Sequence, residues 1–322
     1  MPSWLLDRLF KRQEQPSAQF AFQGTVNWMR ALAILADDQT FSNQALQTKY
    51  LLVRRRKANP AADTLAFEML LMGLHNLYGL KSLCTPETDK YGIVRSAIIS
   101  WYYCTYYSSK AMIASCSGSD PQTHAKSAKV WQSDIVEAGL AVKPFSFMLS
   151  NVVTQTVNLE IAGLRQGNKH DLSLEPKNQV EALGAALSYL KGTAEYIKWQ
   201  IEEEVKTSRS YRELAIQNFR TAAARAFRDE QLRRESVNFL VQAFRYRGKA
   251  NYRDSIYLSY GADRTGRITS FVSDLSTVAE RFLTMAAHYV ARRTERGTWQ
   301  QFVADMDENL RFESPIDLHA IT

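Results

Sequence analysis

Arg245, Arg247, Lys249 and Arg253 alternate with Tyr246 and Tyr252 in the most chemically suggestive stretch of the chain. Cationic side chains neutralise phosphates, and tyrosine rings offer faces on which bases stack. The run therefore has the make-up of a nucleic-acid contact. The same spacing also suits a helix that packs its tyrosines and leaves its arginines in water. The charge of the wider segment around this run points to a polyanionic partner. From Thr207 to Arg267, thirteen Lys and Arg stand against six Asp and Glu, 13 − 6 = +7, which equals the net charge of all 322 residues. A basic face of this kind attracts RNA or DNA, or is simply solvated.

Other reactive groups are few. Cys84, Cys104 and Cys116 show no paired spacing and have no histidine cluster beside them, so neither a disulfide framework nor a metal site is indicated. Reduced thiols fit a cytoplasmic setting. The five histidines are scattered. His75 sits among Leu74 and Leu77 and reads as a core or interface residue, and His319 lies in the tail. The glycines of Gly261–Gly266 lack the lysine and preceding strand of a phosphate loop. No cofactor is expected. The start of the chain carries charges and no long apolar stretch, so no secretory signal is expected, and a membrane is not among the expected partners.

These residues must be carried by helices. Gly and Pro are scarce, 14 and 8, and apolar residues recur at helical spacing along most of the chain. Residues 24–58 read as one or two helices closing on Arg54-Arg55-Arg56-Lys57, where positive charge suits a helix C-terminus. Asp63 caps the next helix, and Thr85-Pro86 reads as a further start. The stretch from Ile98 through Trp101, Tyr102 and Tyr103 to Tyr107 is apolar on nearly all sides and reads as a buried central helix. Shorter helices are expected over 126–138 and 150–164, and a long one from Pro176 to Lys206. Further helices are expected over 211–227, 232–260, 268–293 and 299–310, with a loose tail after Pro315.

Four features in order resemble the HEPN family of small helical domains. Arg95 precedes the aromatic helix with Trp101-Tyr102-Tyr103 and Tyr106-Tyr107. Pro121-Gln-Thr123-His124 follows in a loop. Arg165 closes a third helix, and Glu175-Pro176 opens the last. The resemblance spans about residues 90–206 and implies an antiparallel four-helix bundle that commonly dimerises. Active members are metal-independent endoribonucleases carrying an Arg and a His a few residues apart, a pattern that Arg165 and His170 fit. In such a pair the imidazole takes a ribose 2′-OH proton, and the guanidinium stabilises charge on the phosphate. Gln166 departs from the Asn, Asp or His usual after the arginine, and the alternative is an ordinary polar loop. Arg281 and His288 have similar spacing on a core-like helix. His124 is expected to serve a structural role in its loop.

The sequence thus predicts an all-α protein with N-terminal helices (1–60), a HEPN-like bundle (61–206) and a basic helical domain (207–322), which either forms a second similar bundle or does not. The implied function is RNA-directed. One form is an endoribonuclease of a toxin–antitoxin or phage-defence system, using Arg165 and His170. The alternatives are a non-catalytic helical module that scaffolds or inhibits a partner such as a nucleotidyltransferase, and a nucleic-acid-binding protein that does not cut; a protein partner, if present, is expected to be a nucleotidyltransferase or an antitoxin. A homodimer is expected from the resemblance.

Overall fold

The structure is a computed structural model that describes residues 4–9, 15–213, 218–251, 256, 260 and 267–321. Every regular element among them is helical, in accord with the all-α expectation. The chain runs through α1 (Trp4–Leu9), α2 (Gln15–Leu35), α3 (Asp38–Phe41), α4 (Asn43–Tyr50), α5 (Pro60–Ser82), α6 (Lys90–Ser117) and α7 (His124–Trp131). It continues through α8 (Thr154–Arg165), α9 (Gln179–Thr207), α10 (Arg209–Arg212), α11 (Ala222–Arg233), α12 (Phe239–Asn251), α13 (Arg267–Arg293) and α14 (Thr298–Asn309). A π-helical turn, Gln132–Val136, extends α7. Among the described residues no helix is long and apolar enough to cross a membrane.

Side-chain caps set most helix starts. Asp37, Ser42, Asn59, Asp89, Thr123, Asn178 and Thr221 each accept a first-turn N–H. Several expected boundaries move accordingly. Thr85-Pro86 lies in a turn and opens no helix, and the aromatic helix starts just after it, at Lys90 behind Asp89. The span 211–227 is not one helix, because Thr221 caps a new one. The span 232–260 begins instead at Phe239, where Asn238 accepts the N–H groups of Leu240 and Val241.

Two long helices, α6 and α13, form the centre and pack on each other. Trp101, Cys104 and Met112 of α6 and Phe271, Phe282 and Met285 of α13 are fully enclosed. α5 lies against both, and Gly73 permits this: a Cβ there would stand 3.1 Å from both Leu283 Cδ1 and Ser108 Oγ. On the far side α2 packs along α9, whose face of Ala182, Ala185 and Ala186 gives it room.

The core does not divide at residues 60 and 206. A single apolar cluster takes side chains from Val26 through to Ile321. Within it Trp28 of α2 stacks on Tyr189 of α9 at 4.1 Å, with Trp101, Phe239 and Tyr246 around it. Helices of residues 90–206 therefore pack on partners outside that span as well as within it. Among the described residues, α13 packs chiefly on α6, α2 and α5 rather than on α10, α11 and α12. The tail is not loose: Ile316, Leu318 and Ile321 are buried, and Lys81 donates to the Pro315 carbonyl.

Candidate nucleic-acid interface

α12 turns Phe239, Ala243 and Tyr246 into the core, which leaves Phe244, Arg245 and Arg247 at its outer side. Asn238 fixes the start of this helix and donates through Nδ2 to the Ala128 carbonyl at 2.9 Å, tying α12 to α7. α9 presents Tyr189, Thr193 and Tyr196 at helical spacing toward α12. α7 places His124 in its first turn, because Thr123 caps it.

The two arginines lie against aromatic rings. The Arg245 guanidinium sits 4.3 Å from the Tyr196 ring centre and 5.9 Å from that of Tyr189, and donates to Thr193 Oγ1 at 3.1 Å. The Arg247 guanidinium is 5.3 Å from the ring centres of both Tyr102 and Tyr103, and donates to the Tyr103 hydroxyl at 3.1 Å. Cation–π contacts of this type hold the charge while leaving guanidinium edges for phosphate.

His124 completes the set. Its Nδ1 lies 2.7 Å from the Tyr102 hydroxyl, and its ring stacks on Phe244 at 4.9 Å and faces Tyr106 at 4.5 Å. Burial, helped by the Arg247 charge, lowers the pKa of this imidazole below its usual value. Burial likewise raises the Tyr102 phenol.

Between α7, α9 and α12 lies a groove of about 540 Å³ lined by His124, Lys129, Tyr196, Phe244, Arg245 and Arg247. This is a volume that small ligands fill. Phe244 is 44% exposed, and Tyr196 leads on to Trp199, 5.9 Å away and 56% exposed. Apolar rings left this open cost free energy unless they are covered in use. Lys129 and Glu235 form an ion pair at 3.0 Å on the rim. Lys249 belongs to the last turn of α12, and Arg253 lies outside the described residues.

The other candidate pair is placed differently. Arg165 ends α8 and donates to the carbonyls of Asn168 and Gly184 at 3.3 Å each, and to Ser188 Oγ. His170 is half-buried, with Nε2 3.3 Å from the Leu174 carbonyl. Both side chains thus serve the bend between α8 and α9. Gly184 lets that bend close, since a Cβ there would lie 2.7 Å from the His170 carbonyl oxygen. Asp171 shares the bend, and its carboxyl is held below the usual range, chiefly by hydrogen bonds from Ser173.

The remaining histidines take structural places. His288 is buried with Nε2 3.0 Å from Asn43 Oδ1, and burial pushes its pKa down to about 4. His75 is exposed rather than in the core, and stacks on Phe312. His319 pairs with Asp307 at 3.1 Å. Sequence spacing alone missed Tyr102, His124, Tyr196 and Phe244 as partners of the arginines. The Tyr196-x-x-Trp199 pair, exposed on a helix face, was the one local signal. Compared with family models, curated proteins and solved structures, the chain matches none.

Proposed function

We propose that the protein binds single-stranded nucleic acid, RNA in the first instance, in the groove between α7, α9 and α12, and does not cut it. The observation that carries this is the seating of Arg245 and Arg247 against tyrosine rings beside the open faces of Phe244 and Tyr196. Guanidinium groups held in place meet phosphates with little ordering cost. The adjacent rings accept bases without regard to their identity. The basic excess of residues 207–267 supports the same reading through long-range attraction. The HEPN resemblance supports RNA over DNA. The engagement of Arg165 and His170 in their own loop favours binding over cleavage.

The test is fluorescence anisotropy with a short labelled single-stranded RNA across a salt series. Affinity falls with salt, with a log–log slope of about −0.7 for each phosphate contacted. Phe244→Ala removes a stacking surface and weakens binding roughly tenfold, in line with ~1–3 kcal/mol per stacked base. The RNA stays intact, and His170→Ala changes neither binding nor integrity. No binding at low salt, or full affinity in a Phe244→Ala, Arg245→Ala double variant, overturns the reading.

A further inference from the structure

Distant from the groove residues in chain order, α4 ends in a turn that carries Leu51 and Leu52 outward, 62% and 93% exposed. The turn is fixed. The Leu51 N–H donates to the Thr48 carbonyl at 3.3 Å and that of Val53 to the Tyr50 carbonyl at 2.9 Å. From α13, Arg292 donates to the Leu51 carbonyl at 2.7 Å. The two leucines are therefore held out on a preformed tip and are not a fraying end.

Arg54, Arg55, Arg56 and Lys57 follow after Val53, the last turn of α13 adds Arg292 and Arg293, and Arg296 comes just beyond it. Hydrogen bonds join the two segments: the Arg56 backbone N–H donates to the Arg293 carbonyl at 2.8 Å, and the Arg293 guanidinium donates back to the Arg54 carbonyl at 2.6 Å. Part of this charge has structural work. Arg55 donates to the Ala291 and Thr294 carbonyls at the end of α13, where a cation suits the helix dipole, and Arg56 pairs with Asp63. Arg54, Lys57 and Arg296 stay exposed, and residues 49–57 contain no acid.

We propose that this leucine-tipped basic corner docks on an anionic bilayer surface, with Leu51 and Leu52 at the headgroup–acyl boundary and Arg54, Lys57 and Arg296 on the lipid phosphates. Charge complementarity selects an anionic partner. The leucines then select the bilayer, because a nucleic-acid backbone rewards the cations but gains little from two aliphatic side chains among them. A preformed apolar tip enters the interface without losing chain freedom, and the cations supply the second signal that reversible membrane attachment needs.

The experiment is sedimentation of the full chain with phosphatidylcholine vesicles, with and without phosphatidylserine. The protein pellets with the mixed vesicles and not with phosphatidylcholine alone, and raising the salt releases it. Leu51→Ser with Leu52→Ser weakens the partition about tenfold, as does Arg54→Gln with Lys57→Gln. Leu51, Leu52, Arg54 and Lys57 are all exposed, and Leu52→Ser alone serves if the double variant loses its helical circular dichroism. Phe244→Ala keeps vesicle binding, which separates this corner from the groove. No pelleting with mixed vesicles, or pelleting indifferent to the leucines, overturns the proposal. So does loss of RNA affinity in the Arg54→Gln, Lys57→Gln variant with vesicle binding unchanged.

Discussion

At the scale of single residues, burial decides which charged groups are poised and which are inert. Asp274 on α13 is buried and pairs with the partly exposed Arg30 of α2 at 3.0 Å. Burial raises its carboxyl to about 6, against the opposing pull of Arg30. A carboxyl raised in the fold stabilises it fully below its unfolded pKa near 4. That contribution is lost as the pH climbs through 6. Arg30→Ala removes the charge that limits the rise, so its penalty grows with pH. Thermal unfolding monitored by circular dichroism is expected to show a loss of ~1–2 kcal/mol at pH 7.5 that shrinks toward pH 4. A penalty independent of pH assigns Arg30 a packing role instead.

Among the elements, the bend from α8 to α9 shows how a motif at a convincing spacing becomes structure. Arg165 closes α8, and its guanidinium reaches back to Gly184 and Ser188 on α9. This contact exists because Gly184 lacks a side chain: Asn168 Oδ1 and the His170 carbonyl both lie within 3 Å of where a Cβ would stand. Gly184→Ala is therefore expected to push the bend off α9 and cost ~1–3 kcal/mol, although alanine suits a helix better than glycine in isolation. Chemical denaturation checks the sign, and a stabilised variant refutes the close approach. The same scale explains the misplaced boundaries. Proline at 86 and 176 marked the neighbourhood of a helix start, while the starts themselves fell to Asp89 and Asn178, whose side chains satisfy first-turn N–H groups. Arg54–Lys57 were legible as a helix-terminal charge cluster, but the helix they serve is α13, more than two hundred residues on.

For the whole molecule, the knot around Trp28 is the deciding feature. One tryptophan from α2 touches side chains of α6, α9 and α12, so the N-terminal, middle and C-terminal stretches share buried surface. Such sharing predicts a single cooperative transition, with tryptophan fluorescence and far-ultraviolet circular dichroism coinciding in denaturant. Residues 61–206 expressed alone would expose the faces of α6 and α9 that α13 and α2 cover, and are expected not to fold. Two separated transitions, or a well-folded 61–206 fragment, would show that the shared core is dispensable.

Much of this protein was determined by local sequence. The all-helical character, most helix spans, the buried nature of Trp101 and its neighbours, and the concentration of positive charge after Thr207 follow from residue type and spacing within a few turns. What only tertiary structure decided is which distant groups meet. Arg247 bonds Tyr103 across 144 positions, and Arg245 finds Thr193 across 52. No periodicity encodes such contacts, because they depend on how α6, α9 and α12 cross. The same holds for the tail, whose Ile316, Leu318 and Ile321 are too few to signal order alone and are buried because α5 and the core offer a surface for them. Short-range sterics and capping act through neighbours in the chain. Groove and core arise from apolar burial among elements far apart in it, which is why they became visible only in three dimensions.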